Sequence, residues 1–371
     1  MLQPTTTNTI LPDELIDDIL LRLPVRSLLR FKSVCKSWKT LITHPKFANI
    51  HLRSSTTSED TSMANKQLIF FTKIEPYVIL TYNLKQLFEN PSTCAEPVIS
   101  SFLKMKKYGN YGSCNGLLCL FDRSQCRLKL FNPSIRVKSK KSPQVFPPLD
   151  WTLRYYGFGY DQINDKYKFL VVLKDYDNGE TLTKIYTFGE DSCKTIQNFP
   201  CNSNDSSGEY VSGTLNWIFN KVDDVNGVRQ KSILSFDLNK ETHREILLPP
   251  KDGGKVHRDS KLCVLSNCLC NIVYEESHWV VWLMKQIGVV ESWTKLMIIP
   301  YEKFRSSSLP FNPIVEPLFI SENGVVLLGD KLASKFVLYN LNTGELVYPS
   351  LSWEHPLYPR IQLESLVYPR W

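Results

Sequence analysis

Six histidines and ten cysteines are the residues of this 371-residue chain best suited to metal or redox chemistry. The histidines (44, 51, 243, 257, 278 and 355) stand apart, and no two fall at metal-binding spacing. The cysteines, at 35, 94, 114, 119, 126, 193, 201, 263, 268 and 270, form no Cys-x-x-Cys pair. Cys263, Cys268 and Cys270 cluster, but no histidine lies at zinc-finger spacing from them. Cys114, Cys119 and Cys126 flank apolar, strand-like residues, where a free thiol packs as a small hydrophobe. The pattern predicts buried, reduced thiols, with no metal and no cofactor.

Nucleophile and phosphate signatures fare no better. Gly157-Phe158-Gly159 lacks the third glycine of a dinucleotide loop, since position 162 is Gln. Gly112-Ser113-Cys114-Asn115-Gly116 places its serine one position away from that of a nucleophile elbow. The carboxylate pairs Asp223-Asp224 and Glu275-Glu276 sit in or beside turns, where solvated charge explains them. Catalysis would require sequence-distant residues to converge, so a non-catalytic protein is expected.

The elements that would carry any site change character near residue 53. Before it, Leu15, Ile19 and Leu23 recur at helical spacing, with Ile16 and Leu20 on the adjoining row. Pro12 suits a first helical turn, Asp13 and Glu14 favour the positive helix end, and Pro24 stops the helix. A second helix fits Ser27 to Phe31, and a third carries Val34, Cys35, Trp38, Leu41 and Ile42 up to Pro45. Residues 53–66 are rich in Ser, Thr and Asn and read as a polar linker. The predicted organisation is a small all-α three-helix unit at 8–52, the linker, and a domain at 67–371.

From Gln67 onward the apolar runs are short: QLIFF, YVILTY, GLLCLF, RLKLFN, YKFLVVL, KIYTF, LNWIF, SILSF, WVVWL, TKLMII, VVLLG and KFVLYNL. Gly, Pro, Asn and Asp punctuate them, which implies an antiparallel all-β domain. Strand-opening dipeptides Asn115-Gly116, Ser212-Gly213, Asn267-Cys268 and Asn323-Gly324, with a fainter unit near Gly159, recur at roughly 50 residues, the period of kelch-type blades. That period predicts a six-bladed, kelch-like β-propeller, with a large β-sandwich as the alternative. Only one diglycine, Gly253-Gly254, is present.

No apolar run approaches the roughly 20 residues of a membrane-spanning helix. MLQPTTTNTILPDEL also lacks a signal-peptide pattern. The expectation is a cytoplasmic and/or nuclear protein without a membrane partner. Net charge is +7, with basic residues spread rather than striped, so nucleic acid is not an expected partner either.

The string LPDELIDDILLRLPVRSLLRFKSVCKSWKTLITHPKFANIHL resembles the F-box of plant proteins over about forty consecutive residues. The resemblance implies that the helices dock on a Skp-type adaptor, and through it a cullin scaffold, using Leu11, Pro12, Leu15, Ile19, Leu23, Pro24, Leu28, Val34, Cys35 and Trp38. Residues 113–117, 130–134, 157–161 and 280–293 are similar to blocks of the F-box-associated, kelch-like domain, shared by F-box/kelch-repeat and pollen S-locus F-box proteins. The implied function is the substrate-recognition subunit of an SCF-type (Skp-cullin-F-box) ubiquitin ligase, recruiting an unidentified protein target for ubiquitination. Alternatives within the resemblance are a carbohydrate- or glycoprotein-binding F-box protein, or an S-locus-type determinant recognising a ribonuclease.

The physics of the helical unit points the same way. So small a unit cannot enclose Leu15, Leu23, Leu28, Val34 and Trp38 together, so some must cover a partner. Residues 1–53 carry eight Lys/Arg against four Asp/Glu, net +4, which suits an acidic adaptor. The alternative is a helical cap packed on the β domain in cis. For the target, the longer polar connections Lys104–Gly112, Lys174–Thr183, Pro200–Glu209, Asn220–Lys231, Pro250–Ser260 and Tyr301–Asn312 are candidates, with Tyr108, Tyr111, Tyr176, Arg305 and Phe311 as anchor types.

Overall fold

The computed structural model describes residues 12–57, 63–72, 78–100, 108–122, 124–145, 151–175, 177, 179–196, 199–200, 206–222, 229–250, 260–304, 315–330, 335–352 and 356–369. Helices α1 (Asp13–Leu21), α2 (Val25–Phe31), α3 (Lys36–Thr43) and α4 (Pro45–Thr57) open the chain. Three helices were expected, and α4 is the fourth. It carries Phe47, Ala48, His51 and Leu52 inward and runs to Thr57, well inside the stretch read as a linker. Polar Ser and Thr do not stop a helix whose other face is anchored. Ser55 Oγ turns back to the His51 carbonyl at 2.8 Å.

The β domain is six four-stranded antiparallel sheets. The first begins with β1 (Lys66–Thr72), β2 (Ile79–Asn83) and, after a short helix α5 (Leu84–Glu89), β3 (Val98–Ser100). Blade 2 holds β4 (Tyr108–Cys114), β5 (Leu117–Asp122), β6 (Arg127–Asn132) and β7 (Val137–Lys138). Blade 3 holds β8 (Trp151–Asp161), β9 (Lys166–Asp175), β10 (Thr181–Thr187) and β11 (Cys193–Ile196). Blade 4 holds β12 (Glu209–Val211), β13 (Thr214–Val222), β14 (Arg229–Asp237) and β15 (Thr242–Leu247). Blade 5 holds β16 (Ser260–Leu265), β17 (Cys268–Tyr274), β18 (His278–Met284) and β19 (Trp293–Pro300). Blade 6 holds β20 (Val315–Ile320), β21 (Val325–Asp330), β22 (Lys335–Asn340) and β23 (Leu346–Val347). Finally β24 (Pro356–Leu363) pairs antiparallel with β1 and completes blade 1, so the two ends of the domain share one sheet.

This is a closed six-bladed propeller, and the β-sandwich alternative falls. Six apolar clusters each combine two neighbouring blades: 1 with 2, 2 with 3, 3 with 4, 4 with 5, 5 with 6, and 6 with 1. Closure covers both faces of every blade and leaves no open sheet face. The repeat read from the sequence marks the turns from the innermost strand to the second. Asn115-Gly116, Ser212-Gly213 and Ser266-Asn267 all have positive φ, between 46° and 82°. A type I′ hairpin needs that backbone at both positions, and Asn and Gly reach it most cheaply. Gly157-Phe158-Gly159 lies in β8, where a Cβ on Gly159 would run into the Tyr210 ring; its glycines admit a neighbouring blade. The Gly253-Gly254 pair lies outside the described residues.

Candidate functional site

Helix α1 begins at Pro12, whose φ of −55° and ψ of 144° suit a helix start, with Asp13 and Glu14 in the first turn. Only Leu20 of this helix is fully buried. Leu15 and Ile19, one turn apart, remain 49% and 51% exposed. Cys35 caps α3, its sulfur accepting the Trp38 backbone N–H at 3.5 Å, and burial does not reach it. Hydrogen bonds from Ser37 and the Trp38 backbone hold its thiol below the usual range. Val34 just before it is 62% exposed, while Trp38 is half-buried with its ring 5.4 Å from that of Phe31.

The candidate adaptor residues therefore divide. Pro12, Leu15, Ile19, Val34 and Cys35 are exposed, and Leu23, Pro24 and Trp38 are half-buried. Leu28 is a correction: it is 0% exposed, packed with Leu20, Val25 and Ile42. It lies three residues after Val25 on the inward row of α2, so it shapes the surface from beneath. Leu11 lies outside the described residues. Ile50, 39% exposed, adds a further apolar side chain from α4, a helix that the apolar spacing up to Pro45 does not predict.

The helical module packs on the propeller in cis as well as offering a surface. Its core contains Leu366 from the segment after β24 and lies against Ile135 from the β6–β7 turn. Leu52 of α4 enters the cluster between blades 2 and 3. His51 Nε2 lies 2.9 Å from the Leu23 carbonyl, and burial pushes its ring pKa down.

The topology also sorts the propeller's connections by face. The inner strands β4, β8, β12, β16, β20 and β24 surround a channel of about 570 Å³. They run parallel around it, as the parallel bridge Tyr156–Ser207 shows between blades 3 and 4. The C-terminal ends of β4 and β24 lie on the side of the helical module: Ile135, from the turn after β6 at that end of blade 2, and Leu366, just beyond β24, pack with its core. We call this the helix face. All six of the longer polar connections leave from or arrive at strand ends on the opposite face, the loop face. Much of each connection, with Tyr176, Arg305, Phe311 and the side chain of Tyr108, lies outside what is described. Tyr111 is a correction: it is buried between blades 2 and 3, 4.4 Å from the Tyr156 ring centre.

The channel wall holds the ion pairs Lys261–Glu316 and Arg360–Glu209, the latter at 3.7 Å. Among the described residues, no group of three or more His, Cys, Asp or Glu is placed to hold a metal ion. No disulfide joins any of the nine described cysteines, and Cys114, Cys119, Cys126 and Cys270 are buried as expected. Cys35 and Cys94 are exposed instead, one at a helix cap and one in a connection. Among the described residues, no helix is long and apolar enough to cross a membrane.

A helical unit with an apolar outer surface, fused to a six-bladed propeller, is the architecture of F-box receptors. The chain belongs to the F-box proteins that carry an F-box associated beta propeller domain, which matches residues 68–350, with the F-box domain matching residues 9–49. An F-box/kelch-repeat protein of Arabidopsis thaliana is 32% identical over 91% of this chain and 90% of its own length. The F-box protein CPR1 of the same plant is 25% identical over 91% of this chain and 83% of its own. Among solved structures, a chain from a nidogen/laminin complex aligns over 81% of this chain and 99% of that one, at TM-score 0.47 and 10% identity. Membership carries a substrate-receptor role in SCF-type ligases in general terms, and proteins of this family are typically substrate adaptors.

Proposed function

We propose that this protein is the substrate-recognition subunit of an SCF-type ubiquitin ligase in the cytoplasm or nucleus. Leu15, Ile19 and Val34, flanked by the half-buried Leu23, Pro24 and Trp38, dock on a Skp-type adaptor, which brings the cullin scaffold. The loop face of the propeller recruits a protein target for ubiquitination. The observation that carries the reading is the exposure of Leu15, Ile19 and Val34 beside a helical core already closed by Leu20, Val25, Leu28 and Ile42. Apolar side chains concentrated this way mark an interaction surface. The net +4 of residues 1–53 favours fast association with an acidic partner.

The test is titration of the full chain with a recombinant Skp-type adaptor in a calorimeter. Wild type should bind. Leu15→Asp combined with Ile19→Asp should weaken binding by at least about 100-fold, because two central apolar contacts become desolvated charges. Its melting temperature should stay put, since both side chains already face solvent. A wild-type chain that does not bind the adaptor, or a double variant that binds as well, sinks the proposal.

A further inference from the structure

The five residues after β24, Glu364–Tyr368, make contacts with both the helices and the ring. The Glu364 N–H donates to the Asn65 carbonyl at 2.7 Å. Its carboxylate, only 2% exposed, accepts from Gln67 at the start of β1 and pairs with Arg26 Nε of α2 at 3.2 Å. Ser365 is turned to blade 2. Asn132 Nδ2 donates to its carbonyl at 3.0 Å and lies 3.2 Å from its hydroxyl, while reaching the Val367 carbonyl at 2.8 Å. Leu366 turns the other way, 1% exposed, into the helical core of Leu20, Val25, Leu28, Ile42, Phe47 and Ala48. Val367 returns to the ring and joins Leu52 of α4 in the cluster between blades 2 and 3. The Lys32 ammonium then lies 5.8 Å from the centre of the Tyr368 ring.

This alternation ties one stretch of chain to both bodies in turn. The seam where β24 closes the ring is thereby also the seam where the ring holds the F-box. A polar linker between freely moving modules would bury no ion pair and would lend no side chain to the F-box core. Packed cores do not deform continuously, so a joint of this kind holds one orientation.

We infer that residues Glu364–Tyr368 are a positioning element: they fix the F-box helices on the helix face, so that adaptor surface and loop face keep one separation and one angle. The inference rests on the receptor reading above. For ubiquitin transfer, a fixed spacing defines which part of a bound target is presented to the ligase. The residues act through the helices and touch neither partner themselves.

The test uses the full chain with every cysteine replaced by serine except Cys35 on the helical module and Cys94 beside blade 1, the two that are exposed among the described residues, as sites for nitroxide labels. Wild type should give one narrow distance distribution by pulsed electron paramagnetic resonance. Leu366→Asp should broaden it and, on unlabelled protein, weaken adaptor binding about tenfold or more, because fewer molecules hold a competent F-box. Leu366→Met should restore both. Arg26→Ala, which alters a half-exposed side chain, keeps the test open if Leu366→Asp does not fold, and should broaden the distribution less. A broad wild-type distribution, or Leu366→Asp and Arg26→Ala distributions as narrow as wild type, overturns the inference. A narrow wild-type distribution that broadens in Leu366→Asp, without any adaptor binding by wild type, overturns the receptor reading and leaves the joint standing.

Discussion

The helices and the ring bury their apolar residues in opposite ways. In the ring, each pair of neighbouring blades shares one apolar cluster, and the sequence of six clusters closes on itself. Its exposed large apolar side chains, Ile99, Ile163, Leu247, Ile298 and Tyr348 among the described residues, are scattered over five blades, which is ordinary for a protein surface. The helical module closes a small core only with Leu366 lent by the ring, yet leaves Leu15, Ile19, Val34 and Ile50 exposed within 36 residues. The same chain thus buries its apolar residues wherever geometry permits. On the proposed reading, what stays exposed on the helices faces the adaptor, whereas the ring closes its own apolar clusters.

The largest effect should come from the ring. Trp217 on β13 is 1% exposed, packed edge-on to Phe199 and close against the backbone at Gly208. Trp217→Ala should cost about 3–5 kcal/mol, the loss of a large side chain plus the cavity left behind. Chemical denaturation followed by circular dichroism at a β-sheet wavelength measures it. A cost under about 1 kcal/mol would mean that the blade 3–4 interface is not the close-packed body described.

A matched pair sharpens the contrast within the helices. Leu28→Ala and Leu15→Ala delete the same atoms from neighbouring helices. The first empties a buried site and should destabilise by about 2–5 kcal/mol. The second removes a half-exposed side chain and should change stability by no more than about 0.5 kcal/mol. Adaptor affinity should separate them in the other sense, falling for Leu15→Ala by direct loss of contact. Equal stability costs for the two would dissolve the distinction between core and surface in this module.

How far the sequence carries this architecture depends on which strand is read. The apolar runs visible in the sequence are mainly the second and third strands of each blade, such as GLLCLF in β5 and YKFLVVL in β9. Those strands are covered on both faces by adjacent blades, so both side-chain rows are apolar and the run is continuous. The inner strands are not among those runs. They line a polar channel and read YGNYGSC, WTLRYYGFGYD or, for β24, PLYPRIQL, with small residues, prolines and charges. Proline in β24 argues against a central strand and fits one at the channel edge, unpaired on its far side. The turns were legible because Asn-Gly and Ser-Gly answer a backbone requirement that few residues meet. The joint between F-box and ring was not legible, since Glu364 and Leu366 reach α2 and the helical core only after about 340 residues of chain have closed a circle. Leu15 and Leu28 look alike in a helical stripe, and only the packing of α4 and Leu366 decides which is inside.

The smallest expected effect sets the joint against the ring by the sign of its response to pH. Burial pushes the Glu364 carboxyl above its ordinary value of 4.5, against the lowering pull of Arg26 and Gln67. In blade 3, burial also pushes Asp161 up, but hydrogen bonds from Asn164 and Lys168 outweigh it and hold the carboxyl below its ordinary 3.8. Lys168 Nζ makes that possible, 3.1 Å from Asp161 and 3.0 Å from Glu241. A group whose pKa is raised on folding contributes its full stability below the unfolded value and loses it as pH rises through the folded one. A group whose pKa is depressed contributes above the unfolded value and loses it as pH falls through the folded one. Relative to wild type, Glu364→Gln should therefore gain stability as pH rises from about 4 towards neutrality, because wild type alone carries a buried charge there. Asp161→Asn should be most deficient near neutrality, and its deficit should shrink as pH falls below about 4. Urea midpoints of the three proteins across that range give both slopes. Slopes of the same sign would show that the two buried carboxyls sit in equivalent environments, and that the joint is no different in kind from the ring it closes.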